Sequence, residues 1–215
     1  MRKTLLLADD HSLMLEGLTR LLAEDYEILG TASNGRELLS ETLRLRPDVV
    51  VLDVGMPEMN GIEAARQIIK DLPQTKLVFV TQQLNQNYVH AAFQAGASGY
   101  VAKQQASSEL KAAIRMALQG RYYVTPLIPL ADRGLLRDPM KNPASLFGGQ
   151  LTQRQREVLQ LVTEGKAMKE ISIALKISVK TVEFHKSSLM NELGLRTTAE
   201  LVRYALEQGI VPPKS

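Results

Sequence analysis

Cysteine is absent from the sequence, which excludes disulfides, cysteine-based metal sites and thiol nucleophiles and fits a reducing compartment. Long apolar runs are missing too. The opening MRKTLLLADD has two basic residues and a leucine run, but four apolar residues before two aspartates are too few for a signal peptide. No stretch approaches the roughly 18 apolar residues of a membrane span. Repeats and low-complexity tracts are lacking. The three histidines, His11, His90 and His185, give no metal constellation. These absences lead us to expect a soluble cytoplasmic protein with no membrane partner. A 45% hydrophobic and 23% charged composition is that of a folded globular chain, and 215 residues suffice for two modest domains.

What is present divides into halves. Over residues 1–120, apolar runs at Thr4–Ala8, Glu27–Ala32, Val49–Leu52, Lys76–Val80 and Gly99–Ala102 alternate with amphipathic segments. The segments are Ser12–Ala23, Gly35–Leu45, Gly61–Asp71, Gln86–Ala95 and Ser107–Gln119. Five such βα units predict an α/β doubly wound, flavodoxin-like domain with a five-stranded parallel sheet. Residues 121–149, with prolines at 126, 129, 139 and 143, read as a linker with a short helix near Leu135. Residues 150–215 show only helical patterns and predict a small all-α domain. Residues 1–120 carry 12 Lys/Arg against 14 Asp/Glu, and residues 150–215 carry 10 against 7. The basic excess of the second half hints at nucleic acid.

Ligands of open parallel sheets gather outside the carboxyl ends of the strands. There the sequence places Asp9 and Asp10 after the first strand, Asp53 after the third, Thr81 at the fourth and Lys103 after the fifth. Converging carboxylates repel unless a cation lies among them, and hard oxygen donors favour Mg²⁺. A metal plus a lysine would clamp a phosphoryl group carried on the third carboxylate. The plainer reading is that Asp10 and Asp53 merely cap the helices that follow them.

In the second half, LTQRQREVLQLVTEG opens with a Thr152/Gln155 capping box and stops at Gly165. A second helix near Lys169–Leu175 buries Ile171 and Ala174 and lacks a polar cap. Ser178 caps a third helix that reaches Leu193. This is helix-turn-helix geometry. Projected at 100° per residue, the third helix turns Val182, Leu189 and Leu193 inward, with His185 packed beside them. Lys180, Glu183, Phe184, Ser187 and Asn191 face away.

Residues 1–120 resemble the receiver domain of two-component response regulators, through LLLADDH, VVVLDVGMPEMNG, VFVT and GASGYVAK. Residues 151–210 resemble LuxR-type DNA-binding domains, most specifically through ISVKTVEFHKSSLMNELG. Together they resemble the NarL/FixJ class. The resemblance implies that Asp53 accepts a phosphoryl group from a sensor histidine kinase. Asp9, Asp10, Asp53 and the carbonyl of Gly55 would hold Mg²⁺, Lys103 would touch the phosphoryl group, and Thr81 with Tyr100 would form the switch pair. It further implies that Glu183, Phe184 and Ser187 meet bases of double-stranded DNA, with Lys180, Thr181 and Lys186 at phosphates, in a homodimer. The expected protein is a phosphorylation-dependent, non-enzymatic transcription regulator. Two readings from other classes stand beside it: a phosphotransferase or phosphatase using Asp53 as nucleophile, and an adaptor that docks proteins through the exposed helix.

Overall fold

A computed structural model of the chain describes residues 2–128, 151–207 and 211. The chain forms two compact units, Met1–Pro143 and Ala144–Ser215.

The first unit alternates β1 (Thr4–Ala8), α1 (Ser12–Leu22), β2 (Glu27–Ala32), α2 (Gly35–Leu45), β3 (Val49–Leu52), α3 (Gly61–Asp71), β4 (Lys76–Thr81), α4 (Gln86–Gln94), β5 (Ala97–Ala102) and α5 (Ala106–Leu118). These strands and a sixth, β6 (Tyr123–Val124), are parallel, in the order β2-β1-β3-β4-β5-β6. Alternate side chains leave a strand on opposite faces, so the sheet separates two cores. Leu6, Ala8, Val50, Leu52 and Phe79 pack on the α2–α3–α4 side. Leu5, Leu7, Val49, Val51, Val78 and Val80 pack on the α1–α5 side. With both faces covered, β3 reads as an unbroken apolar run.

The expected five strands are one too few. Tyr123–Val124 forms β6 and pairs in parallel with β5, Gly99 opposite Tyr123 and Tyr100 opposite Val124. Two residues give no periodicity, and the neighbouring prolines marked the stretch as linker. The helix expected near Leu135 lies outside the described residues.

The second unit contains α6 (Gln153–Thr163), α7 (Met168–Leu175), α8 (Val179–Glu192) and α9 (Thr198–Glu207) around a core that includes Val158, Leu159, Ile171, Val182, Leu189, Leu201 and Ala205. The Thr152/Gln155 capping box starts α6. Ala167 offers α7 no side-chain acceptor, but Glu170 accepts from the Ala167 N–H at 2.7 Å, supplying half of the cap that the sequence lacked. Ile171 and Leu175 are buried on α7, while Ala174 is only half-buried. Leu175 rather than Ala174 thus completes the inward face.

Candidate functional site

The strand order reverses direction between β1 and β3, and there the parallel sheet opens a crevice at its carboxyl edge. Asp9 follows β1 and Asp53 follows β3. Their backbones are locked into the sheet: the Asp53 N–H donates to Ala8 O at 2.9 Å and the Asp9 N–H to Ala32 O at 3.1 Å. Both carboxylates are buried. Lys103, just past β5, holds its ammonium 2.8 Å from Asp9 Oδ2 and 2.8 Å from Asp53 Oδ2. Burial pulls the Lys103 pKa down, but the two aspartates outweigh it and leave the group above its ordinary value. Lys103 is therefore a fixed positive charge between two anions.

The plain capping reading of the acids does not hold. Asn60, not Asp53, caps α3, accepting from the Glu63 N–H at 2.9 Å. The residue preceding α1 is His11, whose side chain makes no capping bond. Asp53 is thus freed for the crevice. Its Oδ1 is buried and without a hydrogen-bond partner, although an isolated buried carboxylate oxygen is costly.

Asp10 is exposed at the rim. The His11 ring Nδ1 lies 2.8 Å from Asp10 Oδ1 and 3.1 Å from Asp9 Oδ1. The expectation that no histidine shares a metal-capable cluster is therefore corrected. Asp9, Asp10 and His11 each bring a ligand atom within 4.8 Å of the others. The signal was the contiguous DDH, passed over because the histidines were weighed only against one another. The donor set fits a hard divalent cation such as Mg²⁺: carboxylates predominate, and an unpartnered Asp53 oxygen lies in the same crevice.

Two glycines shape the approach. A Cβ at Gly55 would touch Asp53 Oδ2 at 3.5 Å, so glycine keeps that side of the carboxylate open. A Cβ at Gly61 would lie 1.9 Å from the Asp53 carbonyl oxygen. Only glycine lets α3 begin so close to the end of β3.

Thr81 and Tyr100 meet through an intermediary that the sequence did not reveal. The Gln83 N–H donates to Thr81 Oγ1 at 3.2 Å, and the Gln83 carbonyl accepts from the Tyr100 hydroxyl at 2.5 Å. Backbone groups carry both bonds, so the identity of residue 83 gave no signal. The Tyr100 ring is fully buried and stacks on Phe79, with centroids 6.0 Å apart. Burial, aided by the charge of Asp53 and by Tyr88, pushes the Tyr100 pKa well above 10. The hydroxyl therefore remains a donor.

In the second unit, three residues separate α7 from α8. Ser178 Oγ accepts from the Thr181 N–H at 3.1 Å and lies 2.8 Å from Thr181 Oγ1. Arg154 on α6 donates to the Leu175 carbonyl at the end of α7 at 2.9 Å, and to Glu157 at 2.6 Å. The turn is thus anchored from α6. Val182 and Leu189 are buried, whereas Lys180, Glu183, Phe184 and Ser187 are exposed. Phe184 is 67% exposed, its edge against the His185 ring at 5.7 Å. Lys186 is half-buried and donates to Thr198 Oγ1 at 2.7 Å. The helix presents one polar face with a bare aromatic ring. No helix among the described residues is long and apolar enough to cross a membrane.

Two buried carboxylates and a third at the rim of the switch point, a lysine across the buried pair and a capped helix-turn-helix define a two-part regulator. Residues 5–115 match the family of response regulator receiver domains, and residues 149–205 match the LuxR family of bacterial regulatory proteins. The chain is 31% identical over 208 residues to the response regulator protein VraR of Staphylococcus epidermidis, and equally to that of Staphylococcus aureus. The alignment covers 96% of this chain and 97% of each relative. Among solved structures, the RcsB response regulator of Salmonella typhimurium is 25% identical, with TM-score 0.62, covering 94% of this chain and 96% of that one. A two-component response regulator RcsB–DNA complex is 26% identical, with TM-score 0.55, covering 95% and 98%. The chain belongs to the response regulators of the NarL/FixJ class, a receiver domain followed by a LuxR-type helix-turn-helix domain.

Proposed function

We propose that this regulator takes a phosphoryl group on Asp53 from a sensor histidine kinase and, in response, binds promoter DNA through α8 as a homodimer in the cytoplasm. The buried, unpartnered Oδ1 of Asp53 beside Asp9 and Lys103 carries the first half. Asp9, Asp10, Asp53 and the Gly55 carbonyl would hold Mg²⁺, which when bound neutralises charge on the carboxylates and the phosphoryl oxygens. His11 orients the two leading acids. Asp53 attacks the phosphorus with one carboxylate oxygen, and the donor leaves with the bonding pair. Lys103 steadies a phosphoryl oxygen, and Thr81 offers its hydroxyl to another. The Gln83 peptide passes the movement of Thr81 to Tyr100, whose inward position reshapes the face built by α4, β5 and α5.

For DNA, Glu183, Phe184 and Ser187 project where a recognition helix meets base edges. Glu183 can accept from cytosine N4 and Phe184 can press on a thymine methyl. Lys180 and Thr181 serve phosphates, and Lys186 joins them by leaving Thr198. We place the receiver in residues 1–120, the connection in 121–149 and the DNA-binding domain in 150–215. No pocket for an organic substrate is needed, and Asp53 acts as a stoichiometric acceptor rather than a turnover nucleophile. Selection of bound sequences from random duplexes, with and without beryllofluoride, tests this reading. A single enriched motif with stronger enrichment under beryllofluoride supports it; absence of any motif contradicts it.

A further inference from the structure

The chain does not leave the receiver freely after α5. Tyr122 packs edge-on against Phe93 of α4, with centroids 5.9 Å apart. Tyr123 and Val124 then pair with β5 beside Gly99 and Tyr100. Thr125 donates its N–H to the Tyr100 carbonyl at 2.8 Å, and Ile128 turns back through a bond from its N–H to the Thr125 carbonyl at 3.2 Å. Ile128 is 1% exposed and belongs to the apolar cluster that contains Tyr88, Phe93 and Tyr100. Thr125 is fully buried, and its hydroxyl has no hydrogen-bond partner. One short segment therefore touches α4, β5 and the core around the switch tyrosine. It is also the segment through which the chain continues toward the DNA-binding domain.

We infer that Thr125 and Ile128 are positioning residues for Tyr100, and that the segment 122–128 reads the state of the switch at the point where the chain departs for the second domain. Ile128 packs in the cluster that an inward Tyr100 ring completes. Turning that ring outward would remove it from the apolar cluster to which Ile128 belongs and leave a void that neighbours fill only in part. Inward tyrosine and docked segment thus favour each other, and by linkage whatever holds one holds the other. The buried hydroxyl of Thr125 opposes docking, because an unmade hydrogen bond is costly. The docked arrangement is thereby kept releasable. This inference rests on the phosphoacceptor reading of Asp53.

Hydrogen exchange on the full chain, with Mg²⁺ and with or without beryllofluoride, tests it. Slower exchange both in the loop 54–60 and at the Thr125 and Ile128 amides is expected. Slower exchange in 54–60 alone overturns the inference and leaves the phosphoacceptor reading standing. No response in either segment overturns that reading and the inference with it. Two variants move the coupling in opposite senses. Ile128→Ala should cut the beryllofluoride-dependent gain in DNA affinity by about 5-fold, a typical lower allosteric coupling, and Ile128→Val should restore most of it. Thr125→Val, which removes the stranded hydroxyl and keeps the shape, should enlarge protection at the Ile128 amide. If Ile128→Ala and Thr125→Val leave the gain and the protection as in the parent, the inference fails.

Discussion

The Lys103 ammonium lies 2.8 Å from Asp53 Oδ2, across 50 residues of sequence, and it is equally close to Asp9 Oδ2. One cation thus spans the two acids that β1 and β3 deliver to the switch point. Replacing it by alanine leaves Asp9 and Asp53 facing each other with no fixed positive charge. Lys103→Ala should still be labelled by a small phosphodonor with Mg²⁺, but should lose most of the phosphorylation-dependent gain in DNA affinity, typically about 5- to 150-fold. Asp53→Asn should not be labelled at all. Mass spectrometry and DNA titration check both, and an equally labelled Asp53→Asn would remove the acceptor from Asp53.

Gly61→Ala tests how Asp53, the proposed acceptor, is held. The new methyl would sit 1.9 Å from the Asp53 carbonyl oxygen, so α3 must retreat from β3. A loss of about 1–3 kcal/mol in stability is expected from such overpacking, together with slower labelling. Gly17→Ala is the control, since a Cβ there meets nothing within 4 Å. Denaturant melts and labelling rates should separate the two variants.

Asp48 gives a pH signature far from the site. Its carboxylate accepts from the Thr4 N–H and hydroxyl at 2.9 Å each and from Lys3 at 2.6 Å, pinning the start of β1. Burial alone would raise its pKa, but Lys3 and Thr4 together hold it below the ordinary 3.8. A depressed folded pKa means the unfolded chain binds the proton first as pH falls. The stabilisation is therefore present above the unfolded value and is lost as pH drops through the folded one. Asp48→Asn should be less stable than the parent by about 1 kcal/mol at neutral pH, allowing for partial solvent screening. That gap should close as the pH falls through the folded value. Thermal melts across pH check this, and a constant gap would refute it.

On the DNA side, Lys180→Ala should weaken all sequences alike and flatten the log–log salt dependence by about 0.9 per lost phosphate contact. Glu183→Gln should change base preference, by roughly 1–3 kcal/mol at the affected pair. Binding titrations on variant duplexes distinguish them. If Glu183→Gln leaves preference intact, Glu183 does not face the bases.

Much of this was legible because strong patterns repeat. Each main strand of the receiver is an apolar run closed by a turn, and the acids follow β1 and β3 where such a sheet gathers ligands. Capping residues such as Thr152 and Ser178 fixed helix starts locally. What escaped notice depends partly on contacts between separated segments and partly on local backbone geometry that residue patterns do not announce. β6 is two residues that exist as a strand only because β5 offers an open edge. His11 acquires its neighbours from the turn after β1. Gln83 bridges Thr81 and Tyr100 through its backbone, which no side-chain identity announces. Glu170 replaces the missing cap of α7 from inside the helix.

The central claim is that the state of Asp53 sets DNA affinity. The most direct measurement is a DNA titration of the full chain on its selected duplex, at fixed salt and Mg²⁺, with and without beryllofluoride, for the parent and Asp53→Asn. The account predicts tighter binding with beryllofluoride in the parent, by roughly 5- to 150-fold, and no gain in Asp53→Asn. Equal affinity in both states of the parent at several protein concentrations, or the same gain in Asp53→Asn, would contradict it.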